Sequence, residues 1–323
     1  MIDGIGRNIT YLRISVTDRC NLRCAYCMPK NGICAFPHSE ILSFEEIERL
    51  VRIMSGAGIK KVRLTGGEPL VRKDVAKLVK MISGIPGIDS LNITTNGILL
   101  PEYAHELKQA GLFGVNISLD TLNPAHFERI SGGGNLADVL HGIDAGIAEG
   151  FKIKLNAVPV KGYNDDDIVS LCSFASEKNI DIRFIELMPI GEAVNYHGIT
   201  SEKLISRLSE KFGEPEPLGR EDSPAMYYQF PALKNRVGFI QPLSNCFCAE
   251  CNRIRLTADG FLKLCLHHKK GIDVKSHLRS GKNDEEISKI ITDAILEKPV
   301  SHNFTGQGVI VDSENRTMAQ IGG

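Results

Sequence analysis

Six β-rich runs alternate with helical text over residues 11–186, and no other feature of the chain restricts its fold as tightly. Residues 11–16, 61–65, 90–94, 114–118, 152–158 and 181–186 read as strands, each short and β-branched. Ser43 followed by Glu46 is a capping box that predicts a helix to about residue 55, closed by Gly56 and Gly58. Further helices are predicted over 73–82, from Pro101, through the text before Glu149, and over 165–178. Strands separated by helices argue a parallel sheet. Polar residues recur where these strands end: Gly66-Gly67-Glu68, Thr94-Thr95-Asn96, Ser118-Leu119-Asp120, Lys154 with Asn156, and Glu186 to Met188. A (β/α) barrel builds its site at that end. A doubly wound sheet is the alternative, and six repeats are too few for a full eight-stranded barrel. From about Phe212 the text changes. A Pro/Gly cluster at 214–219 reads as a linker, 225–230 and 236–240 as short antiparallel strands, the text from about 273 as helical, and the tail from Pro299 as irregular.

Cys20, Cys24 and Cys27 follow the first strand with the spacing C-x3-C-x2-C, and Tyr26 precedes the last. Three thiolates on a four-iron, four-sulfur cube leave one iron open for another ligand. Zinc is the alternative, and it wants a fourth ligand, for which Cys34 or His38 is nearest. A second group comprises Cys246, Cys248, Cys251 and, thirteen residues on, Cys265. With Cys246, His267 or His268 as fourth ligand it also suits zinc. Arg253 and Arg255 alternate on an extended segment after Cys251, so both point to one face. Paired guanidiniums suit phosphate.

Composition removes several classes. Nine cysteines in 323 residues are too few for a secreted disulfide scaffold, and a reducing cytoplasm fits. A net charge of −1 gives no basic field for nucleic acid. No apolar run reaches membrane-spanning length, and residues 1–10 lack a secretory signal.

The first cysteine motif resembles the signature of radical S-adenosylmethionine (SAM) enzymes, and Gly66-Gly67-Glu68-Pro69 stands where that family holds the amino group of SAM. The stretches 13–29 and 65–72, and above all Cys248-x2-Cys251-Asn252-Arg253-x-Arg255-Leu256-Thr257-Ala258-Asp259-Gly260, resemble the GTP 3′,8-cyclase family of molybdenum cofactor biosynthesis over nearly the whole chain. The resemblance implies an α/β fold: a partial (β/α)6 TIM-like radical SAM barrel over residues 1–213, and a C-terminal region over 214–323 with a second iron–sulfur cluster.

It implies two 4Fe-4S clusters and SAM as cofactors. Cys20, Cys24 and Cys27 would hold the first cluster, and Cys248, Cys251 and Cys265 the second, whose open iron binds guanine. Tyr26, Gly67, Ser118 and Met188 match SAM contacts. Arg13, Arg63, Thr94, Lys154, Arg253, Ile254 and Arg255 match GTP contacts, with Lys161 a weaker candidate than Lys154. Cys246 stands where the family more often has another residue and is either a competing ligand or a bystander, and Cys34 has no matching role. The implied reaction takes hydrogen from C3′ of the ribose and closes C3′ onto C8 of guanine. The closing Gly322-Gly323 is expected to enter the site, so that truncation or a C-terminal tag blocks catalysis. An electron donor, a downstream cyclic pyranopterin monophosphate synthase and a monomer or homodimer complete the expectation. The rivals are a radical SAM peptide-modifying enzyme and a zinc- and nucleotide-binding sensor.

Overall fold

The computed structural model describes residues 1–220, 223–304, 314 and 316–322. Strands and helices alternate from the start: β1 (Tyr11–Ser15), α1 (Phe44–Gly56), β2 (Lys61–Thr65), α2 (Val75–Ser83), β3 (Ser90–Thr95), α3 (Leu100–Gln109) and β4 (Gly114–Ser118). There follow α4 (Pro124–Ser131), α5 (Leu136–Ala148), β5 (Lys152–Ala157), α6 (Ile168–Glu177), β6 (Asp181–Ile185) and α7 (Ser201–Phe212). The rest comprises β7 (Glu216–Gly219), β8 (Ala225–Gln229), β9 (Val237–Ile240), β10 (Arg253–Leu256), β11 (Phe261–Lys263), β12 (Gly271–Asp273), α8 (Val274–Arg279), α9 (Asp284–Leu296) and α10 (Met318–Ile321).

One sheet runs through all of it, in the order β12-β11-β10-β1-β2-β3-β4-β5-β6-β9-β8-β7. The six repeats stand in sequence order and parallel. The C-terminal text does not form a separate layer. It adds β10 parallel to β1 at one end and β9 parallel to β6 at the other, each continued by antiparallel strands. The segment expected to be a linker instead begins the edge strand β7.

The local signals work as sequence chemistry says they should. The Ser43 hydroxyl accepts the Glu46 N–H at 3.1 Å and the Glu46 carboxylate accepts the Ser43 N–H at 2.7 Å, which closes the first turn of α1. The helical text after β4 breaks into α4 and α5 because Gly132 and Gly133 take φ of +73° and +110°.

Alternation along the strands divides the sheet into two faces. Leu12, Ile14, Val62, Leu64, Ile93, Val115, Leu155 and Ile182 are buried under the helices and make the main core. The residues between them, Arg13, Arg63, Asn92, Thr94, Asn116, Lys154 and Arg183, take the other face, where ordinary barrels place apolar filling. Cations gathered on the inner face repel one another unless an anion lies among them.

Candidate active site

The two cysteine groups lie at opposite ends of this face. Cys20, Cys24 and Cys27 leave the C-terminal end of β1, whereas Cys251 precedes the N-terminal end of the parallel strand β10. Between them β1, five residues long, spans roughly 13 Å at ~3.3 Å per residue. The β10–β11 hairpin pairs Arg255 with Lys263, and the same register carried two residues further sets Cys265 opposite Arg253, at the Cys251 end.

The first cysteine loop is clamped rather than mobile. Gly67 and Glu68 donate their N–H groups to the carbonyls of Thr17 and Arg19, both at 2.8 Å. A Cβ on Gly67 would stand 2.3 Å from the Arg19 carbonyl oxygen, and one on Gly66 would stand 2.6 Å from that of Thr17. The backbone of the cysteine loop itself therefore requires these glycines. Glu68 is buried and accepts hydrogen bonds from Thr95 Oγ1 (2.7 Å), Asn96 N–H (2.7 Å) and Leu70 N–H (3.0 Å). Burial pushes its carboxyl up to about 7.

Tyr26 donates its hydroxyl to Asp120 at 2.5 Å, and Asp120 also accepts the Val158 N–H at 2.8 Å. Burial lifts Asp120 to about 6. This pair, which motif reading did not single out, ties the cysteine loop to β4 and β5. Burial also pushes the thiols of Cys20 and Cys27 up, to about 11 and about 12. A metal group binding here must displace those protons. The Leu22 N–H points to Cys20 Sγ at 3.4 Å, and the Ala319 N–H donates to the Cys27 sulfur. N–H groups on sulfur are what a thiolate-bound cluster uses, so the residues present fit one.

The middle of the face is a band of guanidiniums. Register sets Arg63, Arg13 and Arg255 side by side across β2, β1 and β10, with Tyr11 beside Arg253 one step below. Arg253 lies over the Tyr11 ring with its guanidinium carbon 5.6 Å from the centroid, and Arg63 bonds the Tyr11 hydroxyl. Burial, with repulsion from Arg255, Arg63 and Arg253, pushes Arg13 well down. Burial and Arg253 lower Arg255 to about 10. Burial alone would raise Tyr11, but Arg63 and Arg13 outweigh it and hold the phenol near 8.

Arg183, on β6, belongs to the same face and was missed. Its burial lowers it, and Gly238 leaves room for its side chain, since a Cβ there would stand 3.0 Å from Arg183 Cγ. The signal available was the alternation Asp181-Ile182-Arg183, the same period-two argument applied to Arg253 and Arg255. Arg183 and Arg255 each keep buried N–H groups without a hydrogen-bond partner, and neither has a carboxylate at ion-pair distance among the described residues.

Other expected residues fall as follows. Thr94 lies 3.4 Å from Arg63 Nη1, and Lys154 donates to Tyr227 OH at 3.0 Å and faces Asp181 at 3.6 Å. Lys161 is exposed on a loop. Ser118 ends β4 and Met188 follows β6, both half-buried. Ile254 pairs with Leu12 and buries its side chain in the core, so only its backbone remains for a ligand. Cys34 is exposed and Cys172 is buried in α6.

Cys246, Cys248 and His302 bring their ligand atoms within 4.8 Å of one another. The imidazole is already committed: Nε2 donates to the Pro242 carbonyl at 2.6 Å, and Nδ1 accepts the Phe304 N–H at 3.2 Å. With both nitrogens engaged, the trio is not prepared for a lone metal ion. Cys246 is exposed. Cys246→Ser is expected to leave iron per chain unchanged in anaerobically reconstituted protein. Loss of about half, the share of one cluster in two, would make Cys246 a ligand.

The fold and these sites define a radical SAM enzyme. Residues 14–175 match the Radical SAM superfamily, and residues 180–304 match Molybdenum Cofactor Synthesis C. Among solved structures, Streptococcus suis SuiB bound to precursor peptide SuiA shares the fold with a TM-score of 0.62 at 17% identity, over 91% of this chain and 66% of that one. Methylornithine synthase gives a TM-score of 0.52 at 18% identity, over 64% of each chain.

Relatives in full-length alignment are closer. The chain is 49% identical to the GTP 3′,8-cyclase of Alkaliphilus oremlandii, 47% to that of Desulforamulus reducens and 44% to that of Clostridium perfringens, each over 100% of both chains. The chain belongs to the GTP 3′,8-cyclase family. No helix among the described residues is long and apolar enough to cross a membrane.

Proposed function

We propose that the chain cyclises GTP on the inner face of its barrel, in the first step of molybdenum cofactor biosynthesis, with one iron–sulfur cluster at each end of the substrate. Cys20, Cys24 and Cys27 hold the cluster that binds SAM, and Cys248, Cys251 and Cys265 hold the second. The observation that carries this is the arginine band between the two cysteine groups. Four buried or half-buried guanidiniums, Arg13, Arg63, Arg183 and Arg255, line one face in a chain of net charge −1, and burial lowers the proton affinity of Arg13, Arg183 and Arg255. Cations gathered at such a cost need a polyanion, and a triphosphate supplies one.

A SAM-bound cluster held by Cys20, Cys24 and Cys27 would supply, when reduced, a 5′-deoxyadenosyl radical able to take hydrogen from an unactivated C3′–H. The chain's own contribution is orientation. The arginine band and Lys154 fix the phosphates, and the second cysteine group fixes the guanine. The ribose is thereby held toward the first cysteine loop, and C3′ and C8 are kept within bonding reach. Tyr26, Gly67, Ser118 and Met188 border the SAM position at the strand ends. The glycine clamp on residues 17–19 keeps that loop from shifting when SAM binds. The α10 segment, with Ala319 at the Cys27 sulfur and Gly322 at Thr65, lies at these strand ends and limits water there. An external electron donor serves the first cluster, and the product passes to a cyclic pyranopterin monophosphate synthase.

Anaerobic reconstitution with iron and sulfide, followed by SAM, reductant and GTP, is expected to yield 5′-deoxyadenosine and 3′,8-cyclo-7,8-dihydro-GTP in the mass spectrum. Zinc with little iron would defeat the proposal. Arg253→Ala, Arg255→Ala and Arg183→Ala should each weaken GTP binding by about 1.5–3 kcal/mol, the worth of a hydrogen bond to a charged group. Equilibrium dialysis with labelled GTP measures this. Parent-like affinity in all three variants would remove the arginine band from the substrate site.

A further inference from the structure

The segment from Lys298 to His302, where an irregular tail was expected from Pro299 on, is pinned to the second cysteine group by several hydrogen bonds. Arg7, itself paired with Asp3, donates to the carbonyls of Pro299 (2.7 Å), Val300 (3.0 Å) and Cys248 (2.8 Å). His268 Nε2 donates to the Ser301 carbonyl at 2.9 Å, and the His302 N–H donates to the Cys248 sulfur. The segment is thus one wall of the site that holds Cys248 and Cys251.

That wall carries one side chain whose chemistry the surrounding protein does not complete. Lys298 is 5% exposed. Its ammonium donates to the Arg253 carbonyl at 2.9 Å and to the Leu264 carbonyl, the residue before Cys265. Among the described residues no carboxylate lies within ion-pair distance of it, in contrast to Lys263, which has Glu314, and Arg7, which has Asp3. A buried ammonium with only neutral acceptors is costly. The anion-forming group it faces is Cys251, on which it exerts the strongest Coulombic pull of any residue.

We propose that Lys298 is a positioning residue for the second cluster. Its buried positive charge compensates the thiolates of Cys251 and its partners and raises that cluster's reduction potential. Its bonds to Arg253 and Leu264 hold the cluster strand next to the GTP arginines. The proposal rests on the two-cluster assignment above. Each added electron makes a thiolate-bound cluster more negative, and cluster potentials follow net charge and nearby hydrogen bonds. A buried cation therefore favours the reduced form, and its removal disfavours it.

The test uses full-length protein carrying Cys24→Ala, which removes a ligand of the first cluster and leaves the second for observation. Iron per chain and a dithionite titration followed by electron paramagnetic resonance are compared among Lys298, Lys298→Met, Lys298→Gln and Lys298→Arg. The amide of Gln keeps donors toward the two carbonyls without the charge, and Arg keeps the charge. Reduction of the Met and Gln variants should be about tenfold harder, ~59 mV lower for one electron, with Arg restoring the parent midpoint. Should Met and Gln fail to hold iron, retention by Arg alone supports the charge role equally. An unchanged midpoint in the Met variant, a parent midpoint in the Gln variant, or loss of iron from the Arg variant as well overturns it. Absence of any cluster signal in the Cys24→Ala parent defeats the two-cluster assignment instead, which separates the two failures.

Discussion

Cys24→Ala is expected to abolish reductive cleavage of SAM and to leave the second cluster in place. Cys24 is the middle cysteine of a loop held at both ends. Its own residues turn tightly, with the N–H groups of Cys27 and Met28 both bonded to the Cys24 carbonyl. Residues 17–19 are clamped by Gly67 and Glu68, and Tyr26 is fastened to Asp120. A clamped loop cannot swing in a substitute. Cys34 is exposed, and Cys172 is buried in α6. Two thiolates hold a cube poorly, so iron should fall by about half, the share of one of two equal clusters. Reconstituted protein with SAM and dithionite, assayed for 5′-deoxyadenosine, measures the loss. The second cluster should persist, because its ligands sit at the other end of the parallel strands β1 and β10. Cleavage at the parent rate in Cys24→Ala would move the SAM site elsewhere.

What the sequence made legible follows from what local chemistry can encode. The six parallel repeats were readable because each carries its own period and its own stop, such as the Ser43–Glu46 box on α1. The cysteine groups were readable as groups because their cysteines are close in sequence. The position of the second group was not, because no local signal says that 253–256 will pair with 11–14 rather than form a separate module. That pairing is long-range, and it alone aligns Arg255 with Arg13 and Arg63. The edge strand β7 was hidden by Pro215 and Pro217, which suit a linker as well as an edge. Lys298 had no motif to announce it. Its role depends on burial beside Cys251, which only the folded chain sets. For the glycines of 66–67 the structure shows one close neighbour, the backbone of residues 17–19. Absence of a Cβ says that something comes close, and it does not say what.

Removal of Gly322 and Gly323 is expected to abolish cyclisation while both clusters and the fold remain. The tail was expected to be irregular up to its last residues. Instead, Thr317 and Gln320 form a capping box that starts α10, and Ala319 and Ile321 are 2% and 1% exposed. A helix of four residues is too short to show a period in sequence, and tertiary contacts hold it. Arg316 pairs with Asp259 at 3.4 Å, and Glu314 pairs with Lys263 beside the second cysteine group. Ala319 then reaches the Cys27 sulfur, and the Gly322 carbonyl accepts from Thr65 Oγ1 at 3.2 Å. The tail therefore runs from the β10–β11 hairpin to the ends of β1 and β2, where SAM and the ribose are proposed to meet. Gly323 lies outside the described residues. Gly322 has φ of +76°, and a Cβ on it would stand 2.7 Å from Thr65 Oγ1 and 3.0 Å from Ser15 Cβ. A side chain there costs about 1–2 kcal/mol in backbone strain before any clash. Gly322→Ala should accordingly expel the end of the tail without shortening the chain. Both variants should keep parent iron content and thermal unfolding, since neither the sheet nor the main core includes α10. Both should still cleave SAM without coupling that cleavage to product, because the first cysteine loop keeps its own clamp. Iron per chain, 5′-deoxyadenosine and cyclised GTP are measured side by side. Undiminished cyclised product from the truncated chain would reduce the tail to a plug without a role in the reaction.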